Sequence, residues 1–247
     1  MEKGSGTGVR LLPMKHYRSS IPKGVKERVL NKTTGSYPLT HVECLLNGKV
    51  VGKRVYNNDG QLEYEVPLKD GKTHGVVYQF HGENLCSREP FRSGLAHGTA
   101  KQWAADGELI GTYTMKNGTG LDLWRCKNNW GTGRVYLVEA RYIRSGMWHG
   151  FEWWLDESQK RVHSERHFWD NYPHGIEREW NGEHRLKRGF PRYWIHGKRV
   201  MKLQYLRACL TDSTLPPFHE KENRPQREFP EGVRIHCIYP ASSERRA

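Results

Sequence analysis

The stretch Asp70-Gly71-Lys72-Thr73-His74-Gly75 decides the fold, because it returns as Ser93-Gly94-Leu95-Ala96-His97-Gly98 with the same offsets between its glycines and its histidine. With the second glycine of each stretch as a phase marker, equivalent glycines recur at intervals of 22 to 30 residues. These markers are Gly52, Gly75, Gly98, Gly120, Gly150, Gly175 and Gly197. A recurrence of this length indicates copies of one structural unit stacked in an array.

Each unit has the sequence pattern of a β-hairpin. After the marker Gly75, the side chains of Val76, Tyr78 and Phe80 alternate with other residues, which points all three to one side of a strand. Asp-Gly and Asn-Gly dipeptides in later units favour the tight turns that close hairpins. We therefore predict an all-β fold, an elongated antiparallel array of β-hairpin repeats with a short C-terminal capping helix.

The chain divides into three predicted segments. Residues 1–39 are rich in Gly, Ser and Lys, and they predict a basic, partly ordered N-terminal arm. Residues 40–199 hold the repeats, and residues 200–247 hold the capping helix and a proline-rich tail. In the helix, Leu203, Leu206 and Leu210 fall on one side, which is expected to pack on the end of the array. Residues 233–239 are expected to add one more strand.

Composition limits the class of protein. Only 36% of the 247 residues are hydrophobic, yet nine are tryptophan, which fits a thin sheet held by aromatic layers and not a disordered chain. The formal net charge of +13 attracts polyanions such as nucleic acid, an acidic membrane surface or an acidic protein. Five dispersed cysteines without a C-x-x-C pair indicate reduced thiols. With no apolar run typical of a signal peptide or a membrane span, we expect a cytoplasmic protein.

The repeats resemble the MORN-repeat-variant family, whose short hairpins open with Gly-x-x-His-Gly and continue into an aromatic-rich strand. The resemblance covers about residues 40–199. It rests on the marker glycines, the strand aromatics and the histidines His74, His97, His149, His174 and His196. Val51 and Thr119 stand where histidine is expected. Since the family is known in bacteria among antitoxins of toxin–antitoxin systems, the resemblance implies a hairpin-repeat fold, a protein partner and an antitoxin-like role.

The repeated histidines raise the question of a metal site. Each hairpin adds two strands, roughly 10 Å of sheet, between equivalent positions, whereas zinc ligands lie about 2 Å from one ion. Histidines one repeat apart are therefore expected not to share a metal. We predict a structural role instead, in which each ring packs beside its glycine and hydrogen-bonds to a loop carbonyl. We expect no metal and no cofactor.

No catalytic pattern stands out in the sequence. It lacks the nucleophile elbow, the H-E-x-x-H zinc motif and the phosphate-binding G-x-x-x-x-G-K-[ST] loop. The glycine pairs at Gly118 and Gly131 precede no helix, and turn geometry accounts for them. We therefore predict that the protein is not an enzyme and that a small-molecule substrate is not its ligand.

The second and fourth places after each marker define a second face of the sheet. There, Tyr56, Trp124 and Trp154 are large aromatics on a mostly polar surface, a composition enriched at protein interfaces. The alternative is that a single-layer sheet carries aromatics on both faces only for rigidity. In the fourth unit the turn at residues 127–133 is longer, and such insertions often line a binding face. The residues that we predict to bind a partner are Arg54, Tyr56, Gln102, Trp124, Trp154, Lys127 and Trp130.

These features favour a non-enzymatic protein–protein interaction module, an antitoxin or immunity-like protein that neutralises its partner by occlusion. The alternative is a nucleic-acid binding protein, or an accessory subunit of a nucleoprotein complex, that uses the basic arm and the sheet aromatics. Attachment to acidic membranes is a third interpretation, but the chain lacks an amphipathic helix with a strongly basic face.

Overall fold

The computed structural model describes residues 16–128 and 132–237, and it forms two compact units, Met1–Leu109 (unit 1) and Ile110–Ala247 (unit 2). Both units are built from antiparallel β-hairpins, so the predicted all-β class is confirmed. Two short α-helices and a 3₁₀ helix lie near the C-terminal end of the described chain.

Unit 1 is one antiparallel sheet in which consecutive hairpins pair along the chain. Its strands are β1 (Lys26–Lys32), β2 (Leu39–Leu46), β3 (Lys49–Asn57), β4 (Leu62–Lys69), β5 (Lys72–Thr73), β6 (Gly75–His81), β7 (Asn84–Arg92), β8 (Leu95–Ala96) and β9 (Gly98–Trp103). The long strands pair in the order β1, β2, β3, β4, β6, β7, β9. The two-residue strands β5 and β8 close the turns beside β4 and β7.

Unit 2 repeats this arrangement. Its strands are β10 (Leu109–Lys116), β11 (Thr119–Lys127), β12 (Val135–Arg144), β13 (Met147–Leu155), β14 (Val162–Trp169), β15 (Tyr172–Pro173), β16 (Gly175–Glu179), β17 (Arg192–Ile195) and β18 (Lys198–Val200). Its helices are α1 (Lys202–Ala208), the 3₁₀ helix Glu220–Asn223 and α2 (Glu231–Arg234). The strand predicted for residues 233–239 is wrong in its described part, because Val233 lies in α2.

A pair of left-handed residues, of which the second is glycine in all but one repeat, closes a tight turn at the start of each repeat. Asp70 and Gly71 have φ of 51° and 74°, the pair of positive values that a type I′ hairpin turn needs. The same pair of left-handed residues recurs at Asn47-Gly48, Ser93-Gly94, Asn117-Gly118, Ser145-Gly146, Asp170-Asn171 and His196-Gly197. These turns also join neighbouring repeats, since Gly94 N donates to Thr73 O at 2.8 Å and Gly197 N donates to Pro173 O at 2.8 Å.

The repeat histidines hold the next turn in place. His74 Nδ1 accepts a hydrogen bond from the backbone N–H of Ser93 at 3.3 Å, and His174 Nδ1 accepts one from His196 N–H at 3.0 Å. The predicted bond from ring to loop carbonyl is therefore wrong for these two rings, which act as acceptors. The structure also corrects the phase at the last marker, because His196 and Gly197 are turn residues like Ser93 and Gly94.

Gly120 also differs from its predicted place in the repeat. Gly120 pairs with Met115 in the way that Ala96 pairs with Phe91. Gly120 therefore corresponds to Ala96, which lies two residues before the marker Gly98. The residue that corresponds to the marker is Asp122. Because strand side chains alternate with a period of two, this shift leaves the predicted face of Trp124 unchanged.

A difference in bulge size reverses the predicted face of β3. In the β4–β6 hairpin, Leu68 pairs with Thr73 and Glu65 pairs with Tyr78. Between these pairs the second strand has two residues more than the first, and His74 and Gly75 lie in this bulge. In the β2–β3 hairpin, where Val51 replaces the histidine, pairs Leu45↔Val50 and Cys44↔Gly52 leave only one extra residue. A one-residue change turns every later side chain to the other face. Arg54 and Tyr56 therefore lie on the core face, with Tyr78.

The core face of unit 1 is covered by the segment before β1. Tyr17 packs edge-on against Tyr78 and Phe80, with ring centroids 5.0 and 5.2 Å apart, and its hydroxyl donates to Glu65. Ile21 is 4% exposed. The described part of the predicted N-terminal arm is thus part of the fold, and residues 26–32 form β1 on the sheet.

The core face of unit 2 is covered by the segment after α1. Phe229 packs on Trp153, Trp180 Nε1 donates to Asn223 O at 2.9 Å, and Val162 N donates to Pro225 O at 2.9 Å. Alternation predicts Trp153 and Trp180 on the inward side, and each is 4% exposed. This segment gives the single-layer sheet a second layer.

Helix α1 packs through a different side from the predicted one. Tyr205 is fully buried in a cluster with Ile176, Tyr193 and Leu215. Leu203 and Leu210, which the spacing places against the array, are 60% and 84% exposed. The leucine spacing predicts a helix correctly, but the aromatic ring between the leucines provides the larger buried surface.

Candidate functional site

The second face of unit 2 brings two predicted site residues into one row. Trp124 on β11 pairs directly with Glu139 on β12, and Glu139 pairs with Trp154 on β13. Trp154 is 41% exposed and Trp124 is half-buried, whereas Glu139 between them is 6% exposed. The row therefore presents two indoles to solvent, with a buried carboxylate between them.

A second row of charged side chains lies next to the first. Asp122 pairs with Arg141, and Arg141 pairs with Glu152, on the same three strands. Arg141 Nη2 lies 3.1 Å from Asp122 Oδ2 and 3.2 Å from Glu139 Oε1, and Arg141 Nη1 lies 3.8 Å from Glu152 Oε1. One guanidinium is thus surrounded by three carboxylates. Further along the same face, Arg166 pairs with Glu152 and Arg192 lies beside Glu177, so the negative charge is confined to the strands β11 to β13.

Burial and the surrounding charges change how these carboxyls titrate. Burial and the charges of Glu152 and Asp122 together raise the pKa of Glu139 to about 7, against the opposing charge of Arg141. Burial also raises the pKa of Asp122, against the charge of Arg141. Glu139 therefore exchanges a proton near neutral pH, and the charge of this surface changes in that range.

Sequence reasoning missed the other residues that complete this surface. The Arg141 guanidinium lies over the Trp148 ring, 4.7 Å from its centroid, and Trp194 Nε1 donates to Glu177 at 3.0 Å. The signal that could have found them is register, because Glu139 and Arg141 are two residues apart on a strand that pairs with those of Trp124 and Trp154. Alternation alone fixes a face, but it does not fix which strands are neighbours.

The remaining predicted binding residues do not join this surface. Gln102 lies on the second face of unit 1, where it is 2% exposed. Lys127 ends β11, opposite Val135. Trp130 lies outside the residues that the structure describes.

Arg54 and Tyr56 lie in a separate place, where other side chains engage them. Arg54 Nη1 donates to Glu27 Oε1 at 2.9 Å, its Nε donates to Glu65 Oε2 at 2.9 Å, and the Tyr56 hydroxyl donates to Glu27 at 2.7 Å. Both residues line a cavity of about 800 Å³ among β1 to β4. Two carboxylates already neutralise the Arg54 guanidinium, so its charge is not free to hold an anionic ligand.

A cluster of two histidines and a carboxylate meets the distance requirement for a metal site. His174, His196 and Asp212 each place one ligand atom within 4.8 Å of the others. The hydrogen bonds oppose metal binding, because His174 Nδ1 already accepts the His196 N–H, which puts the ring proton on Nε2. That proton faces Thr214 Oγ1 at 2.8 Å, and the threonine hydroxyl in turn donates to Asp212. The cluster is thus a closed chain of hydrogen bonds.

The histidine pair also corrects the expectation that repeat histidines stay a hairpin apart. The rings of His174 and His196 stack with centroids 4.3 Å apart, because His196 is a turn residue that the preceding repeat contacts. Within residues 16–128 and 132–237, no helix has the length and apolarity needed to cross a bilayer. Comparison of the chain with protein-family models, curated proteins and solved structures finds no match.

Proposed function

We propose that this chain is a non-enzymatic binding protein that holds a protein partner on the second face of unit 2. The observation that carries the proposal is the row of Trp124, Glu139 and Trp154, in which two partly exposed indoles flank a buried carboxylate. Tryptophan and arginine are enriched among the residues that dominate binding energy at protein interfaces. Here Arg141 and Trp148 adjoin the row and extend the same surface.

The charge of this face favours a protein over a nucleic acid. Asp122, Glu139 and Glu152 surround Arg141, so a phosphate group placed between the indoles would meet repulsion, while Arg166 and Arg192 lie further along the same face. The nucleic-acid alternative therefore needs other surfaces of the chain, such as the exposed basic residues of β1.

The resemblance to the MORN-repeat-variant family suggests which partner to test first. A toxin encoded beside this gene is the first candidate, and we propose that it is inhibited by occlusion. The described cysteines, all five of which are free thiols, are compatible with the cytoplasmic location that we propose.

Photo-crosslinking beside Trp154 tests the proposal. A photoreactive phenylalanine analogue replaces Ser164, which pairs with Trp154 on the same face, in cells of the source organism, and crosslinked proteins are identified by mass spectrometry. We expect one protein to be enriched over the same analogue placed at Tyr172, which is 63% exposed at the β14–β15 turn.

The partner is then purified and its affinity is measured by calorimetry. We expect Trp154→Ala to weaken binding at least tenfold and Tyr172→Ala to leave it unchanged. Equal crosslinking at both positions, or full affinity of a Trp124→Ala, Trp154→Ala double variant, would remove this face as the binding surface.

A further inference from the structure

The spacing of the two indoles on the second face of unit 2 suits one guest group. Trp124 and Trp154 lie on strands separated by β12, so their Cα atoms are about 10 Å apart. A group held in van der Waals contact with two aromatic surfaces needs about 7 Å between them. A Cα spacing of this size leaves room between the two side chains for the end of one guest side chain, and not for a strand or a helix.

The carboxylates beside the indoles select the charge of that guest. Oε1 of Glu139 is buried and accepts no hydrogen bond within the described residues, although Arg141 Nη2 lies 3.2 Å from it. The Asp122 carboxylate, in contrast, is hydrogen-bonded by the side chains of Tyr113, Arg141 and Trp124. The unused acceptor of Glu139 favours a ligand that brings an N–H group.

The same surface already holds a cation in this way. The guanidinium of Arg141 lies 4.7 Å from the centroid of Trp148 while its nitrogens contact Asp122 and Glu139. An indole face with a carboxylate beside it is thus the arrangement that seats a guanidinium here. Trp124 and Trp154 flank Glu139 with the same chemical groups.

We infer that Trp124, Glu139 and Trp154 form a clamp for a single lysine or arginine side chain of the protein partner. This inference rests on the proposed function and adds the chemistry of the contact. The clamp engages the cation through the two indole faces and the Glu139 carboxylate, and Asp122 and Glu152 add to the negative potential. The occupant is a basic segment of a protein.

Short acetylated peptides test the clamp on the full chain. The probes are Gly-Lys-Gly and Gly-Arg-Gly, with Gly-norleucine-Gly as the uncharged match of lysine and Gly-Glu-Gly as the anionic control. Indole N–H resonances of Trp124 and Trp154 are followed by ¹H–¹⁵N NMR. We expect both to shift with the lysine and arginine peptides and neither to shift with the two controls.

Variants separate charge from shape. Trp154→Ala and Glu139→Gln are each expected to lower the affinity for the lysine peptide at least tenfold, whereas Tyr172→Ala is expected to leave that affinity unchanged. Retained affinity in Glu139→Gln, or an equal shift with norleucine, would overturn the clamp. The crosslinking at position 164 leaves the clamp residues intact, so a captured partner without peptide binding would retain the proposed function and remove the clamp.

The pH dependence gives a second readout. Glu139 faces Arg141 on its own strand, Asp122 on β11 and Glu152 on β13, and burial raises its pKa to about 7. A cation binds the ionised carboxylate, while the lysine probe stays charged between pH 6 and 8. We expect affinity to rise roughly tenfold from pH 6 to pH 8, and to stay flat in Glu139→Gln. A flat profile in the unaltered protein would contradict the role given to Glu139.

Discussion

Arg227 joins the C-terminal segment to the sheet of unit 2 through a buried carboxylate. Its Nε donates to Glu165 Oε2 at 2.7 Å, while Arg178 Nη1 donates to Glu165 Oε1 at 2.6 Å and Trp153 Nε1 donates to Oε2 at 2.8 Å. Glu65 accepts from Tyr17 and Arg54 in the same manner in unit 1. Each unit thus attaches its covering segment to a buried glutamate.

Replacing Arg227 by Met is expected to lower the free energy of unfolding of unit 2 by about 3 kcal/mol, because it removes one partner of a buried ion pair. Urea unfolding followed by tryptophan fluorescence measures the change. Arg185→Ala is the control, since the Arg185–Glu183 pair is solvent-exposed and such pairs contribute less than about 1 kcal/mol. Equal effects of the two variants would contradict the role of Arg227.

The buried glutamate also predicts how stability depends on pH. Burial raises the pKa of Glu165, but the hydrogen bond and charge of Arg227, together with the charge of Arg178, hold it below the usual 4.5. A carboxyl with a lowered folded-state pKa stabilises the fold above its unfolded value, and this contribution is lost as pH falls through the folded value. We expect urea midpoints to fall below about pH 4.5, less steeply in a Glu165→Gln, Arg227→Met double variant.

The protonation state of His174 distinguishes between two roles of the ring, a hydrogen-bonding partner and a metal ligand. Burial and the nearby His196 lower the pKa of His174, and the His196 N–H fixes the neutral ring as the Nε2–H tautomer. Long-range ¹H–¹⁵N NMR is expected to show that tautomer at pH 7 and titration below 6.5. Added Zn²⁺ should leave the signals in place. A zinc-dependent shift of both histidines would restore the metal hypothesis.

At the scale of the element, the repeat is a hairpin whose turn and bulge are fixed by different residues. The left-handed Asp70-Gly71 pair closes the turn, and His74 holds the turn of the following repeat through Ser93. Loss of the histidine at Val51 accompanies the smaller bulge and the reversed face of β3. The motif therefore determines both where a hairpin turns and which side its strands present.

Two substitutions of Gly71 are expected to destabilise the protein by different amounts. Gly71 has φ of 74°, and a Cβ added there would meet open space, so Gly71→Ala is expected to cost about 1–2 kcal/mol from backbone strain alone. Gly71→Asn is expected to cost less, because asparagine tolerates this conformation and Asn171 occupies the equivalent place with φ of 71°. Thermal unfolding of both variants measures the order, and a greater loss in the asparagine variant would refute it.

At the scale of the whole molecule, the net charge differs in sign from the cluster of carboxylates around Arg141. The chain carries +13, whereas three carboxylates surround Arg141 on the second face of unit 2. Long-range attraction of polyanions and recognition at the indoles are therefore separable properties. The first is expected to depend on salt, and the second on particular side chains.

Binding to a single-stranded oligonucleotide tests this separation. We expect affinity measurable at about 50 mM salt to fall at least a hundredfold by about 200 mM, because release of condensed counterions drives such binding. Trp154→Ala should leave this affinity unchanged. Tight binding that persists at the higher salt concentration and depends on Trp154 would favour the nucleic-acid alternative over the protein partner.

Much of the fold could be predicted because its signals are periodic. Alternation identifies the buried side of β6 and β13, including Tyr78 and Trp153, and it places Trp124 and Trp154 on the other face. The face of β3 could not be predicted by counting from Gly52, because one residue fewer in the bulge reverses it. Glu139 was missed because its position between the indoles depends on strand pairing.

The covering segments could not be predicted for a related reason. They are anchored by single residues, such as Tyr17, Ile21 and Phe229, that follow no periodic pattern. Prolines and charges between these anchors resemble an unstructured tail. Each anchor is buried only by its contact with the sheet, which spacing along the sequence does not reveal.

The covering segments lie at opposite ends of their units in chain order, and this bears on how the protein is made. Tyr17 and Ile21 precede every strand of unit 1, so they have already been synthesised when β3 to β9 emerge from the ribosome. Phe229 and Val233 follow every strand of unit 2. Because synthesis runs from the N-terminus, unit 1 can complete its core as its strands emerge, whereas Trp153 and Trp180 in unit 2 are covered only after residues 223–233 have been synthesised.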